Sequence, residues 1–147
     1  MAAIIVDTCV WIDVANGSID LDAVLHQTGS DLVYVSAMTI GELEYGAQIP
    51  NDAMERAQRM SVLRQVEQMP VLEITRQTAQ SFGLLATLMR QAGRNPRPRY
   101  NDLWIASQAH EHGYAVLTSN PDDYQGLGVI RIITAPKTKN PIQKAKH

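Results

Sequence analysis

The strongest limit on architecture comes from apolar runs only three or four residues long that show no polar alternation. Ala3-Ile4-Ile5-Val6, Leu32-Val33-Tyr34-Val35, Ala115-Val116-Leu117 and Val129-Ile130-Arg131-Ile132 have this form, with a weaker version at Val71-Leu72-Glu73-Ile74. A strand with one wet face alternates apolar and polar residues, so unalternated runs point to strands buried on both faces of a parallel sheet. Between the runs, apolar spacing predicts helices near 8–15, 20–28, 37–48, 51–68, 75–92, 102–112 and 121–125. Asn51 is the expected cap of the fourth, with Met54, Met60, Val62, Leu63 and Val66 as its apolar face. Thr75 or Thr78 opens the next, where Ala79, Phe82, Leu85, Ala86 and Met89 recur at helical spacing before Gly93. Strands alternating with helices imply an α/β fold whose mainly parallel sheet is covered on both faces.

One domain accounts for the chain: 147 residues is an ordinary domain length, enough to bury roughly 70% of the unfolded surface. The domain is expected over residues 1–135, followed by a loosely ordered Lys-rich tail over 136–147. No apolar run reaches the roughly 20 residues of a membrane span, and the N-terminus lacks the charged and apolar regions of a secretory leader. Cys9 is the only cysteine, which excludes an internal disulfide and suits a reducing cytoplasm. The net charge of −2 does not by itself favour nucleic acid. Its distribution does, because acids fall at strand and helix junctions while Arg90, Arg94, Arg97 and Arg99 crowd one stretch and Lys137, Lys139, Lys144 and Lys146 mark the end.

In open parallel sheets, ligands bind outside the carboxyl ends of the strands, so acids that follow strands carry the most information. Asp7 follows the first strand, as a helix N-cap or as a ligand. Glu42 lies one turn into a helix that Ser36 should cap, on a face shared with the small groups of Thr39 and Gly46; Glu44 reads as a surface residue. Asp102 leads the face of its helix formed with Ile105, Ala106 and Ala109, and Asn101 is a candidate cap there. Thr118-Ser119-Asn120-Pro121-Asp122-Asp123 follows the fourth strand. Helix capping by Asn120 explains that segment as well as a ligand role for Asn120 or Asp123 does.

Carboxylates gathered at neutral pH repel one another unless a cation neutralises them. Hard oxygen donors suit Mg2+, with Mn2+ as a substitute, whereas zinc is poorly served by one cysteine and by His110 and His112 at a spacing that splits them between helix faces. Such a site supports metal-assisted phosphodiester hydrolysis without a nucleophilic side chain. Thr8, Ser36, Thr118 and Ser119 are available to orient a water or the carboxylates.

The segments Ile5-Val6-Asp7-Thr8, Thr39-Ile40-Gly41-Glu42-Leu43-Glu44-Tyr45-Gly46, Asn101-Asp102-Leu103-Trp104-Ile105-Ala106 and Leu117-Thr118-Ser119-Asn120-Pro121-Asp122-Asp123-Tyr124 together resemble the PIN-domain family, especially its VapC ribonuclease toxins. The resemblance spans residues 4 to about 132. It implies a three-layer α/β/α sandwich, a homodimer, Mg2+-dependent endoribonuclease activity on single-stranded regions of tRNA or rRNA that stops translation, and inhibition by a small cognate antitoxin. Asp7, Glu42 and Asp102 match the family's metal-binding acids. At the fourth position many relatives carry an acid where this chain has Asn120, which offers a carbonyl oxygen without charge; Asp123 is the candidate to supply it.

Arg94, Arg97 and Arg99, just ahead of Asp102, are candidate contacts to RNA phosphates, with a solvated loop as the alternative. Met54, Met60, Leu63 and Val66 either pack into this domain or form a groove for an antitoxin helix. Two other functions fit the residues: another metal-dependent nuclease, or a metal-free domain, disabled at Asn120, that only binds RNA or protein.

Overall fold

The computed structural model describes residues 3–136. Its first apolar run forms β1 (Ala3–Val6), where Ile4, Ile5 and Val6 are fully buried. β1 lies between β2 (Leu32–Ser36) and β4 (Ala115–Thr118), and the short strands β3 (Val71–Leu72) and β5 (Ile132–Thr134) close the edges in the order β3-β2-β1-β4-β5. Every pairing is parallel. Because successive strand residues face opposite ways, Ile4, Val6 and Leu117 enter one core, and Ile5 and Val116 enter another. The first core is covered by α1 (Thr8–Ala15), α2 (Leu21–Thr28), α3 (Ala37–Gln48) and α4 (Ala53–Glu67). The second is covered by α5 (Arg76–Gln91) and α6 (Tyr100–His112), with Leu85, Met89, Leu103 and Ile105 wholly enclosed. This is the expected three-layer α/β/α sandwich.

Some helix starts follow the expected chemistry and others do not. Ser36 caps α3 by accepting from the Met38 amide, and Thr75 and Thr78 cap α5 reciprocally. At α4 the cap is Asp52, whose extended backbone and bond from the Met54 amide leave Asn51 one residue outside. The apolar face of α4 is also shorter than expected. Val62, Leu63 and Val66 are buried, whereas Met54 is 71% exposed and Met60 only partly covered. The last strand begins late. Turn bonds from the Leu127 amide to the Tyr124 carbonyl and from the Ile130 amide to the Leu127 carbonyl hold the chain out of the sheet until Arg131 accepts from the Val116 amide. Val129 is accordingly exposed rather than paired.

Strand β3 has two residues, yet its register is fixed, because the buried Gln108 of α6 donates to the carbonyls of Leu72 (2.8 Å) and Glu73 (3.2 Å). The Lys-rich segment 137–147 lies outside the described residues. Among the described residues no helix is long and apolar enough to cross a membrane.

Candidate active site

Sheet order reverses between β1 and β4: β2 and β3 extend from one side of this pair, β5 from the other. That is the switch point at which open α/β sheets bind ligands. The Asp7 amide donates to the Leu117 carbonyl (2.9 Å), which sets Asp7 beside Thr118 at the carboxyl edge. Asp7 is only 3% exposed, and its carboxylate meets a full set of donors. Oδ1 accepts from the Thr8 amide at 2.7 Å. Oδ2 accepts from the Thr118 hydroxyl at 2.9 Å and the Tyr124 hydroxyl at 2.8 Å, with the Cys9 thiol at 3.4 Å. Asp7 is thus the N-cap of α1 through Oδ1 and also part of a buried polar cluster through Oδ2.

Glu42 approaches from α3. The Thr8 hydroxyl donates to its Oε1 at 2.9 Å, and Thr8 and Thr39 hydroxyls lie 2.9 Å apart. A hydroxyl has one proton, so Thr39 donates to Thr8 and Thr8 to Glu42. Burial pushes the Glu42 pKa up, assisted by the charge of Asp7 and opposed by hydrogen bonds from Thr8 and Asn101. Glu44, on the same helix, is exposed.

Asp102 sits half-buried in the first turn of α6. That helix has no side-chain cap: Arg99 occupies the cap position, so Asn101 falls inside the helix and serves Glu42 instead. Burial, followed by repulsion from Asp7, Asp123 and Glu42, raises the Asp102 pKa to about 7, with Arg99 pulling the other way. Asp123 is paired with Arg99 at 3.1 Å. Asn120 makes no side-chain cap at the 3-10 turn Pro121–Tyr124; its amide donates to the Thr118 hydroxyl at 3.1 Å, and its side chain is exposed.

The donors available for a cation are therefore hard oxygens. Among the described residues no three acidic, histidine or cysteine side chains already converge as a closed metal cage. Magnesium does not require one: it keeps several waters and binds through one or two carboxylates plus substrate phosphate. Asp102, whose charged form burial and then three acidic neighbours disfavour, is the group that a divalent ion would relieve. The residues fit that ion. His110 and His112 are occupied elsewhere, by Ser81 (2.8 Å) and Glu111 (3.5 Å).

Residues 4–126 match the family model for the PIN domain. The chain belongs to the PIN domain family. It is 33% identical over 126 residues to Ribonuclease VapC5 of Mycobacterium tuberculosis (strain ATCC 25618 / H37Rv), covering 86% of this chain and 88% of that protein. Ribonuclease VapC4 of the same strain is 32% identical over 100 residues, covering 68% of this chain and 75% of VapC4. Among solved structures, VapBC-5 from Mycobacterium tuberculosis, a member of the VapBC family of toxin-antitoxin systems, superposes with a TM-score of 0.76 at 28% identity, over 92% of this chain and all (100%) of that one. DNA-bound VapBC from Salmonella typhimurium shares the fold, with a TM-score of 0.73 at 22% identity, over 91% of this chain and 98% of that one.

The basic loop of this PIN domain is not uniform. Arg94 donates to the Gln125 carbonyl at 2.9 Å and Arg99 pairs with Asp123, so both tie the loop to the turn after β4, while Arg97 is exposed. Gly126 makes that turn possible: its φ is +90°, and a Cβ there would lie 2.9 Å from the Ala92 Cβ. Two contributors are hard to recognise in the sequence. Tyr124 stands there only as the end of a motif, and its role depends on a partner 117 residues away. Asn101, a candidate cap by its sequence, lies inside the helix, because capping turns on the backbone angles of single residues.

Proposed function

We propose that this PIN domain is a Mg2+-dependent endoribonuclease, the toxin of a toxin-antitoxin pair, which cleaves single-stranded regions of tRNA or rRNA and so inhibits translation. The observation that carries the reading is the position of Asp102 at the switch point, where burial, and then the charges of Asp7, Asp123 and Glu42, raise its pKa to about 7. Similarity to the two VapC ribonucleases supports the class of reaction.

Asp7, Glu42 and Asp102 are the residues that would hold Mg2+, with the exposed Asn120 amide as a neutral oxygen donor at the fourth position. When bound, the ion lowers the pKa of an attacking water and stabilises charge on the leaving oxygen. The chain's own share is orientation. Thr8 and Thr39 fix Glu42, Thr118 and Tyr124 fix Asp7, and Asp123 holds Arg99 at the rim. Arg97, with Arg94 and Arg99, lies where RNA phosphates flanking the cut would be drawn in.

The antitoxin has a ready seat. Ile12, Leu43, Gly46, Arg59 and Val62 line a cleft of about 340 Å³ between α1, α3 and α4, and Glu42 forms one wall. Met54, Tyr45 and Ile49 stand exposed nearby on the same two helices, α3 and α4, and their junction. An amphipathic segment laid in this cleft reaches Glu42 directly, coupling binding to inhibition. Phe82, Tyr100 and Trp104, stacked in a partly exposed group on α5 and α6, are the corresponding face for a homodimer.

The test is incubation of antitoxin-free protein with total bacterial RNA, with and without Mg2+, beside a folded Asp7→Ala variant. Discrete fragments that need both Mg2+ and Asp7 are expected. A folded wild type that cuts no RNA in Mg2+ or Mn2+ would leave a binding domain as the better reading.

A further inference from the structure

Tyr124 is 2% exposed and packs in the second core with Ile5, Leu103 and Val116. A phenylalanine would fill the same apolar space, so the hydroxyl needs its own explanation, and a buried phenol requires a polar partner. Its partner is Asp7 Oδ2 at 2.8 Å. The same oxygen also accepts from Thr118 at 2.9 Å.

A carboxylate offers about two lone-pair sites on each oxygen. Those on Oδ2 are taken by Tyr124 and Thr118, with the Cys9 thiol crowding the same oxygen at 3.4 Å. Oδ1 holds only the Thr8 amide and keeps one site open. Resting on the metal-dependent reading above, we infer that Tyr124 is a positioning residue: with Thr118 it occupies Oδ2 of Asp7, fixes the plane of the carboxylate and leaves Oδ1 as the oxygen that takes the cation. The same bond links the metal-binding edge to the turn that Arg94 and Arg99 grip, because Tyr124 ends that turn and Gln125 follows it.

The test uses Mn2+ as the probe, with binding followed by electron paramagnetic resonance and Mg2+ by displacement, in the full-length wild type, Tyr124→Phe and Asp7→Asn. Removing a hydrogen bond that orients a metal ligand costs about 10–100-fold in metal affinity, and Tyr124→Phe is expected to weaken Mn2+ binding by about tenfold at the low end of that range. The Mg2+ concentration for half-maximal cleavage should rise by the same factor, while kcat at saturating Mg2+ stays within about twofold. Mn2+ affinity equal to wild type in Tyr124→Phe, whatever its thermal stability, overturns the inference and reduces Tyr124 to a core residue. Should Tyr124→Phe fail to fold in EDTA by circular dichroism, Thr118→Val removes the other hydroxyl donor to Oδ2 and is judged by the same affinity. Failure of the parent reading has a different signature: wild type binds no Mn2+, or Asp7→Asn binds it as tightly.

Discussion

On the β1–β4 side of the site, Asp7 is buried beneath donors from four residues, Thr8, Cys9, Thr118 and Tyr124. On the α6 side, Asp102 has burial and three acidic neighbours but only Arg99 in compensation. The fold has therefore solved the desolvation of one carboxylate with its own hydrogen bonds and left the other to be solved from outside. A centre of this kind has a fixed half that orients and a charged half that recruits, and the two respond oppositely to substitution.

The largest effect should come from the fixed half. Asp7→Asn keeps the shape of the side chain and removes its charge; cleavage should fall by more than the roughly hundredfold that loss of a residue orienting a metal ligand can cost, measured on a defined single-stranded RNA. Residual activity within tenfold of wild type would mean that Asp7 is a cap alone. Next in size, Thr118→Val deprives a buried carboxylate of a donor, and a hydrogen bond to a charged group contributes about 1.5–3 kcal/mol. Chemical denaturation in EDTA should show a loss in that range, and a neutral result would erase the contrast between the two halves.

Asp102→Asn should do the reverse and stabilise the metal-free protein. The folded pKa of Asp102, about 7, lies above its ordinary 3.8. The folded state thus keeps a proton that the unfolded chain has released, and stability is lost as pH rises from the lower value through the higher one. The gain in Tm from Asp102→Asn should be greatest at pH 8 in EDTA and shrink towards pH 5; a pH-independent gain would point to packing rather than charge. The smallest effect belongs to the rim. Arg97→Ala should leave stability unchanged and reduce the salt dependence of single-stranded RNA binding by a slope of roughly 0.7, the value for one phosphate contact. An unchanged slope would return Arg97 to the solvated loop.

The acids were the easier part to read in the sequence, since Asp7 follows a strand, Asp102 opens a helix and Glu42 lies one turn into another, places where a carboxylate advertises itself. The sheet was legible for a related reason: runs such as Ile4-Ile5-Val6 can be placed only where both faces are covered. The orienting half was obscure, because Thr118 and Tyr124 acquire meaning only when they meet Asp7 across 111 and 117 residues. Boundaries that depend on one residue's backbone angles, such as the start of α4 at Asp52 rather than Asn51 and the late entry into β5, were displaced by one to three residues.

That long separation has a consequence for synthesis. β1 is the first strand made and the central one in the sheet, yet the hydroxyls that orient Asp7 are near the end of the domain. At roughly 5–20 residues per second on the ribosome, Asp7 waits on the order of ten seconds for Tyr124. A nascent or truncated chain ending before residue 115 has neither β4 nor β5 nor the two hydroxyls that brace Asp7, so this carboxylate edge is assembled only after residues 115–124 have been made.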